Sequence, residues 1–112
     1  MTPLELIDET IDFYGADPKG RRARNWLGCC EYITRDGKMC AIGRCLENNF
    51  RRQAWACSFC YVLTKMKPEY RIDDFTFWTN LQRLHDIHDY WDEKGLTKQG
   101  VKFANYMRRT YK

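Results

Sequence analysis

The fold of this chain depends most on twelve residues near its centre, Thr34-Arg-Asp-Gly-Lys-Met-Cys-Ala-Ile-Gly-Arg-Cys45. Gly37 follows two residues suited to the right-handed helical region, which is typical of a three-residue hairpin loop. Residues 29–34, which precede the loop, favour a β-strand. The pattern predicts an antiparallel β-hairpin, in which Gly43 lets the chain turn sharply beside a helix.

The register of this hairpin places Tyr32 opposite Cys40 and Cys30 opposite Ile42. Cys30 and Cys40 are then diagonal neighbours, about 7–8 Å apart, which is too far for an undistorted disulfide. Adjacent Cys29 and Cys30 point to opposite faces of a strand, so they cannot easily ligate one ion together. Six cysteines without a basic leader segment indicate reduced thiols in a cytosolic protein. A secreted disulfide framework is the weaker alternative.

The composition indicates one folded domain spanning residues 1–112. Hydrophobic residues make up 44% of the chain and aromatic residues 15%, which is too much apolar material for a disordered tail. The longest apolar stretch, residues 54–63, is interrupted by Ser58 and is too short to cross a bilayer. We therefore expect a globular protein without a membrane partner.

Helical signals divide the rest of the chain into four main helices. A capping box that begins at Thr2 opens the first helix, and Gly15 ends it. Residues 49–66 form the second helix, which is apolar nearly all round and is expected to be central and buried. Residues 73–95 form the third, and Thr97 caps the last. The sequence therefore predicts an α+β fold: a single small domain with four main helices and a two-stranded antiparallel β-hairpin.

Charge is strongly segregated along the chain, although the net charge is only +4. Residues 1–18 carry five acids and no bases, and residues 94–112 carry six bases and no acids. Such segregation creates local fields that attract partners of opposite charge. On the last helix one basic stripe lies opposite an apolar face, so the stripe is expected to point outward. The candidate residues for binding a partner or phosphate are Arg21, Arg22, Arg24, Lys98, Lys102, Arg109 and Lys112.

The chain contains two pairs of possible metal ligands, and the members of each pair are one helical turn apart. Cys57 and Cys60 are three residues apart, and so are His85 and His88. Two thiolates and two imidazoles could close a tetrahedral zinc site. The preferred interpretation is that both cysteines are small buried hydrophobic residues, that His88 lies in the core and that His85 lies at its boundary. No cofactor is expected.

Acid–base catalysis is the second chemical alternative, because His85 is followed by Asp86 in the sequence. Neighbouring residues on a helix do not face each other, so this pair is not expected to form a catalytic dyad. Asp86, Asp89 and Glu93 are expected to form a solvated acidic stripe. No nucleophile stands beside them in the sequence, and the protein is therefore not expected to be an enzyme.

Three motifs carry a family resemblance: Cys30-Glu-Tyr32 followed by Gly37, then Cys40-Ala-Ile-Gly43 with Leu46, then Leu81-Gln-Arg-Leu-His-Asp86. Over about residues 30–86 the chain resembles an uncharacterised family of small proteins encoded by phages and prophages. The resemblance implies a protein that binds a host protein in the bacterial cytosol, such as an inhibitor of a bacterial defence complex of the anti-CRISPR type. A nucleic-acid-binding protein that uses the basic C-terminal helix is the first alternative, and a small zinc-binding protein or hydrolase is the second.

Overall fold

A computed structural model describes residues 1–23 and 32–111 of the chain. The predictions made for Arg24, Cys29, Cys30 and Lys112 lie outside these residues. The described helices are α1 Pro3–Gly15, α2 Pro18–Arg21, α3 Ala41–Cys45, α4 Phe59–Leu63, α5 Phe75–Asp86 and α6 Lys98–Thr110. Strands β1 Trp91–Asp92 and β2 Gly95–Leu96 pair antiparallel, and 3₁₀ turns occupy Ala54–Ala56, Pro68–Tyr70 and His88–Tyr90.

These elements confirm the α+β fold class and the single small domain. The helix count differs from the four expected, because three helices within the described residues reach seven residues or more: α1, α5 and α6. The two-stranded sheet pairs Trp91 with Leu96 and Asp92 with Gly95. It lies where the sequence predicted the end of the third helix.

The first and last helices follow the sequence signals closely. Thr2 accepts a hydrogen bond from the Glu5 backbone, and the Glu5 side chain accepts one from the Thr2 backbone, which completes the predicted capping box. The hydroxyl of Thr97 accepts from the backbone N–H of Gly100 and caps α6. In both helices the apolar residues repeat with a period of 3.6, which is the period of the helix, so the sequence alone predicts the apolar face.

The predicted hairpin exists as a tight turn with a short pairing. Ile33 pairs antiparallel with Met39, and Thr34 donates its backbone N–H to Lys38 over 2.8 Å. Gly37 has a φ of 88°, as the loop type requires. The turn geometry predicted from the sequence is therefore confirmed.

The hairpin ends earlier than the sequence suggested. Cys40 donates its backbone N–H to Tyr32 over 3.4 Å, in the predicted register, but Cys40 is also the N-cap of α3. Ile42 therefore lies in a helix and not on a strand, so its predicted strand position was wrong. The Cys40 sulfur accepts from the backbone N–H of Gly43, which favours helix initiation over a further strand pair.

The single helix predicted for residues 49–66 was also wrong. The segment contains the Ala54–Ala56 turn and then the short helix α4, and Cys57 between them has an extended backbone. The Ser58 hydroxyl accepts from the Tyr61 backbone, so this serine starts a new helix where continuation was expected. The segment is not buried all round, since Trp55 is 81% exposed and Tyr61 is 49% exposed.

The third predicted helix is shorter than residues 73–95. Asp74 caps α5 by accepting from the Phe77 backbone, and the helix ends at Asp86 because Ile87 is extended. Beyond it the chain folds back, and the Trp91 indole donates to the Leu84 carbonyl over 2.7 Å. This tertiary contact replaces the helix that local propensity favours. The predicted acidic helical stripe of Asp86, Asp89 and Glu93 therefore does not form.

The core lies where α1, α3, α5 and α6 meet. Its largest fully buried side chains include Trp78, Tyr14, Phe77, Leu6 and Ile7. Within the described residues, no helix combines the length and apolar character needed to cross a membrane.

Arg44 on α3 is buried at the side of this core and pairs with Glu9 of α1. The Tyr70 hydroxyl donates to the second Glu9 oxygen over 3.1 Å. The guanidinium also lies 4.9 Å from the centre of the Phe13 ring. These contacts tie α3 to α1, and removing one partner alone would leave a buried charge without compensation.

Candidate functional site

An open groove of about 520 Å³ runs beside the outer face of α5. Its surface is mainly apolar, with polar groups along one side. Concave sites of this size and character commonly bind ligands or partner side chains. The residues that line it are Tyr32, Ile42, Phe59, Thr79, Gln82, Arg83, Asp86 and Ile87.

The groove brings together the three motifs that carry the family resemblance. Tyr32 comes from the first motif, Ile42 from the second, and Gln82 and Asp86 from the third. The Ile42 backbone N–H donates to the Gln82 side-chain oxygen over 3.2 Å, and the Gln82 amide donates to Asp86 over 2.8 Å. Gln82 therefore joins the start of α3 to the end of α5 through one side chain.

Gly43 permits the close approach that forms one wall of the groove. A Cβ built on Gly43 would overlap the backbone oxygen of Tyr32. The backbone at Tyr32, before the hairpin loop, can therefore lie against α3 only if position 43 has no side chain. The sequence predicted that Gly43 lets the chain turn sharply beside a helix. Gly43 instead lies inside α3, where the missing side chain allows the Tyr32 backbone to pack closely.

Polar residues of α5 form a straight row along the groove. Thr79, Gln82, Arg83 and Asp86 follow at i, i+3, i+4 and i+7, so they lie on one helix face about 10 Å long. At the start of α5, Phe75 is 54% exposed and packs edge-to-face on Phe59, with ring centres 4.7 Å apart. Of these four groove residues, the motifs of the sequence indicated only Gln82 and Asp86. The helical row, which could be read from the sequence, would also have indicated Thr79 and Arg83.

His85 is 1% exposed, so the roles predicted for the two histidines are reversed. His88 is exposed, in the turn after α5. His85 is held by its neighbour: its Nδ1 lies 2.7 Å from an Asp86 oxygen, although adjacent helical residues were not expected to meet. The contact forms at the last helical residue, where the backbone leaves the helix.

Burial sets the protonation of this imidazole. Burial lowers the pKa of His85, which the Asp86 hydrogen bond partly offsets, and the nearby Arg22 charge lowers it further. A carboxylate only accepts, so Nδ1 carries the proton and Nε2 is left as an acceptor. Nε2 is buried without a hydrogen-bond partner. The Tyr14 ring centre lies 4.9 Å from the imidazole centre. The imidazole is therefore enclosed by the protein and is not part of the groove lining.

The alternative zinc ligands do not assemble. Cys57 is half-buried and Cys60 is exposed, contrary to the expected core positions. Across residues 1–23 and 32–111, no three Cys, His, Asp or Glu side chains converge as metal ligands. Cys45 is fully buried, and burial raises the pKa of its thiol to about 12, so this group stays protonated.

The predicted basic residues separate into exposed and buried groups. Lys98, Lys102 and Arg109 are exposed on α6, as the stripe requires. Arg21 is exposed and lies over the Phe13 ring. Arg22 is 3% exposed and donates to the backbone oxygen of His85, so it supports the core and not a surface patch. The sequence could not distinguish these two adjacent arginines, because only the tertiary structure places His85 beside one of them.

Comparisons with known proteins give no further assignment: no family model, curated protein or solved structure matches this chain.

Proposed function

We propose that this protein is a non-enzymatic binding protein whose groove accepts an apolar segment of a protein partner. The observation that carries the proposal is the convergence of Tyr32, Ile42, Gln82 and Asp86 on one groove. Hydrogen bonds through Gln82 fix the two helices that form it. A site that is formed before binding avoids much of the entropy cost of ordering an interface.

The shape of the groove favours a peptide-like segment over a compact ligand. Its polar row extends for about 10 Å along α5, and the exposed Phe75 continues the apolar surface at one end. A helix or extended segment can place one or two apolar anchors in such a groove. Arg83 and Asp86 provide one charge of each sign at the edge, so the anchors should be flanked by an acidic and a basic group.

The family resemblance supplies the biological setting of the proposal. Small phage and prophage proteins act in the bacterial cytosol, where many bind host proteins. The partner is therefore proposed to be a host protein or complex, and the activity to be its inhibition, as for a protein that blocks a defence complex.

The proposal is tested by filling the groove. Thr79 is exposed within α5, and its hydroxyl donates to the Phe75 carbonyl over 3.1 Å. Thr79→Arg should place a long charged side chain in the groove without disturbing the core. Thr110→Arg is a matched control, because Thr110 is an exposed helical residue that donates to the Tyr106 carbonyl in the same way.

Tagged wild type and both variants should be used to capture proteins from bacterial lysate with and without nuclease treatment, followed by calorimetry with the purified partner. The same partner should bind wild type and Thr110→Arg, and its affinity for Thr79→Arg should fall at least tenfold. Equal binding by all three proteins would overturn the groove as the site. Capture that disappears on nuclease treatment would overturn a protein partner.

A further inference from the structure

Three aromatic rings form a stack on the surface beside α6. The Phe103 ring stacks with Tyr90, from the turn before β1, at 5.3 Å between centres and 24° between planes. Phe103 also stacks with Tyr106 at 5.9 Å and 29°. Most other close ring pairs in the described residues are edge-to-face, including Phe13–Tyr14 and Phe77–Trp78. Near-parallel rings present flat faces, and Tyr106 at the end of the stack is 47% exposed.

Cationic side chains accompany this ring stack. Lys98, Lys102, Tyr106 and Arg109 follow at i, i+4, i+8 and i+11, so the last ring lies within the basic stripe. Lys102 lines the same open cavity of about 380 Å³ as the three rings, together with Gln99. The guanidinium of Arg83, from α5, lies 5.6 Å from the centre of the Phe103 ring.

We propose that the ring stack and the basic stripe of α6 bind single-stranded nucleic acid. An exposed flat ring can stack with a base, while lysines spaced along the helix contact the phosphates. Both parts are present on one face, and the chain has no acidic residue from position 94 onward. The rings lie outside the groove of the proposed protein-binding function, since Tyr90, Phe103 and Tyr106 do not line it. Arg83 borders both surfaces.

A single strand suits this face better than a duplex. In a duplex both faces of each base are covered by neighbouring bases. Tyr106 would then have no base face to stack on, and only contacts to phosphates would remain. In a single strand the bases can turn outward and stack on a protein ring with little dependence on sequence. The preference for single strands is therefore the property that separates this site from a simple basic surface, which binds any polyanion.

The test compares two kinds of variant, each with its own control. Tyr106→Ala removes the exposed ring, and Trp55→Ala removes a ring that is even more exposed, at 81%, and does not line this cavity. Lys102→Ala removes a charge beside the rings, and Arg52→Ala removes an exposed charge elsewhere. Binding of a fluorescent single-stranded DNA of about 15 nucleotides is measured by anisotropy at several salt concentrations, with the matching duplex and inorganic polyphosphate as competitors.

We expect Tyr106→Ala to weaken single-strand binding by roughly 5- to 150-fold, the loss expected for one stacked base, without changing the salt dependence. Tyr106→Phe should bind like wild type. Lys102→Ala should reduce the slope of log affinity against log salt by about 0.7, as expected for one lost phosphate contact. Neither Trp55→Ala nor Arg52→Ala should change these quantities by comparable amounts.

Three results would overturn the proposal. In the first, wild type shows no binding to single strands even at about 50 mM salt. In the second, duplex or polyphosphate competes as well as the single strand for equal charge. In the third, Tyr106→Ala has no more effect than Trp55→Ala while the circular dichroism of both variants matches wild type.

Discussion

The groove beside α5 and the ring stack on α6 are built in different ways. The groove draws its walls from four separated parts of the chain, since Tyr32, Ile42, Phe59 and the residues of α5 all contribute. The cavity at the ring stack is lined by residues of α6 alone, apart from Tyr90. A surface assembled from distant segments depends on backbone packing, whereas a surface on one amphipathic helix persists when individual contacts are lost. Changes at the groove should therefore affect stability more than changes on α6.

The largest effect is expected at Gly43. A Cβ at this position would overlap the Tyr32 carbonyl, and backbone atoms cannot move aside as a flexible side chain can. Gly43→Ala should lower the free energy of unfolding by about 3 kcal/mol, measured by urea denaturation. Gly15→Ala is the control, because a Cβ there meets no atom within 4 Å. If both variants are equally stable, the groove wall does not depend on this approach.

The second-largest expected effect is a pH dependence of the free energy of unfolding. It is expected at His85, whose hydrogen-bond partner Asp86 lines the groove. Because burial lowers the pKa of His85, the unfolded chain takes up a proton at this residue before the folded protein does. The free energy of unfolding should therefore be constant above the ordinary histidine pKa of about 6.5 and should decrease as pH falls below it.

Urea denaturation at several pH values between 5 and 8 measures this dependence. His85→Gln should flatten the curve in this range, because it removes the buried imidazole. An unchanged slope in His85→Gln would contradict the assignment of this dependence to the buried histidine.

The smallest effect is expected on α6, at the ion pair between Arg108 and Asp8. The two groups are 2.7 Å apart, but their side chains are 38% and 58% exposed, so water screens the attraction. A double-mutant cycle with Asp8→Asn and Arg108→Gln should give a coupling free energy of about 0.2–1 kcal/mol in thermal or urea unfolding. A coupling several times larger would mean that α6 relies on specific contacts as much as the groove does.

The contrast between α6 and residues 49–66 shows when a sequence predicts its own environment. In α6, polar and apolar residues alternate with the helical period, so the exposed lysines were correctly placed and the opposite apolar face, which contains Ala104 and Met107, is buried as expected. Residues 54–63 have almost no such asymmetry, and the apolar content was taken as a sign of burial. The decisive residue was Ser58, which has the ordinary preference of serine for a helix N-cap.

The two histidines show a second limit on predicting burial from the sequence. Periodicity placed His88 inward on a helix that was expected to continue to Gly95. The helix stops at Asp86, because Trp91 folds back onto the Leu84 carbonyl, so the period fails two residues before His88. The candidate site was only partly predictable for the same reason. Its motif residues were recognised individually, but their convergence needs Gln82 to bridge α3 and α5 across forty residues of sequence.

The sequence by itself determined the α+β class, the capped first and last helices, the positive φ of Gly37 and the outward basic stripe. Each of these follows from local rules: side-chain caps, the helical period and the backbone freedom of glycine. Only the tertiary structure decided where α5 ends, which histidine and which arginine are buried, and that three motifs share one groove. These features depend on contacts between residues far apart in the chain, whose free energies outweigh local propensities that amount to less than about 1 kcal/mol per residue.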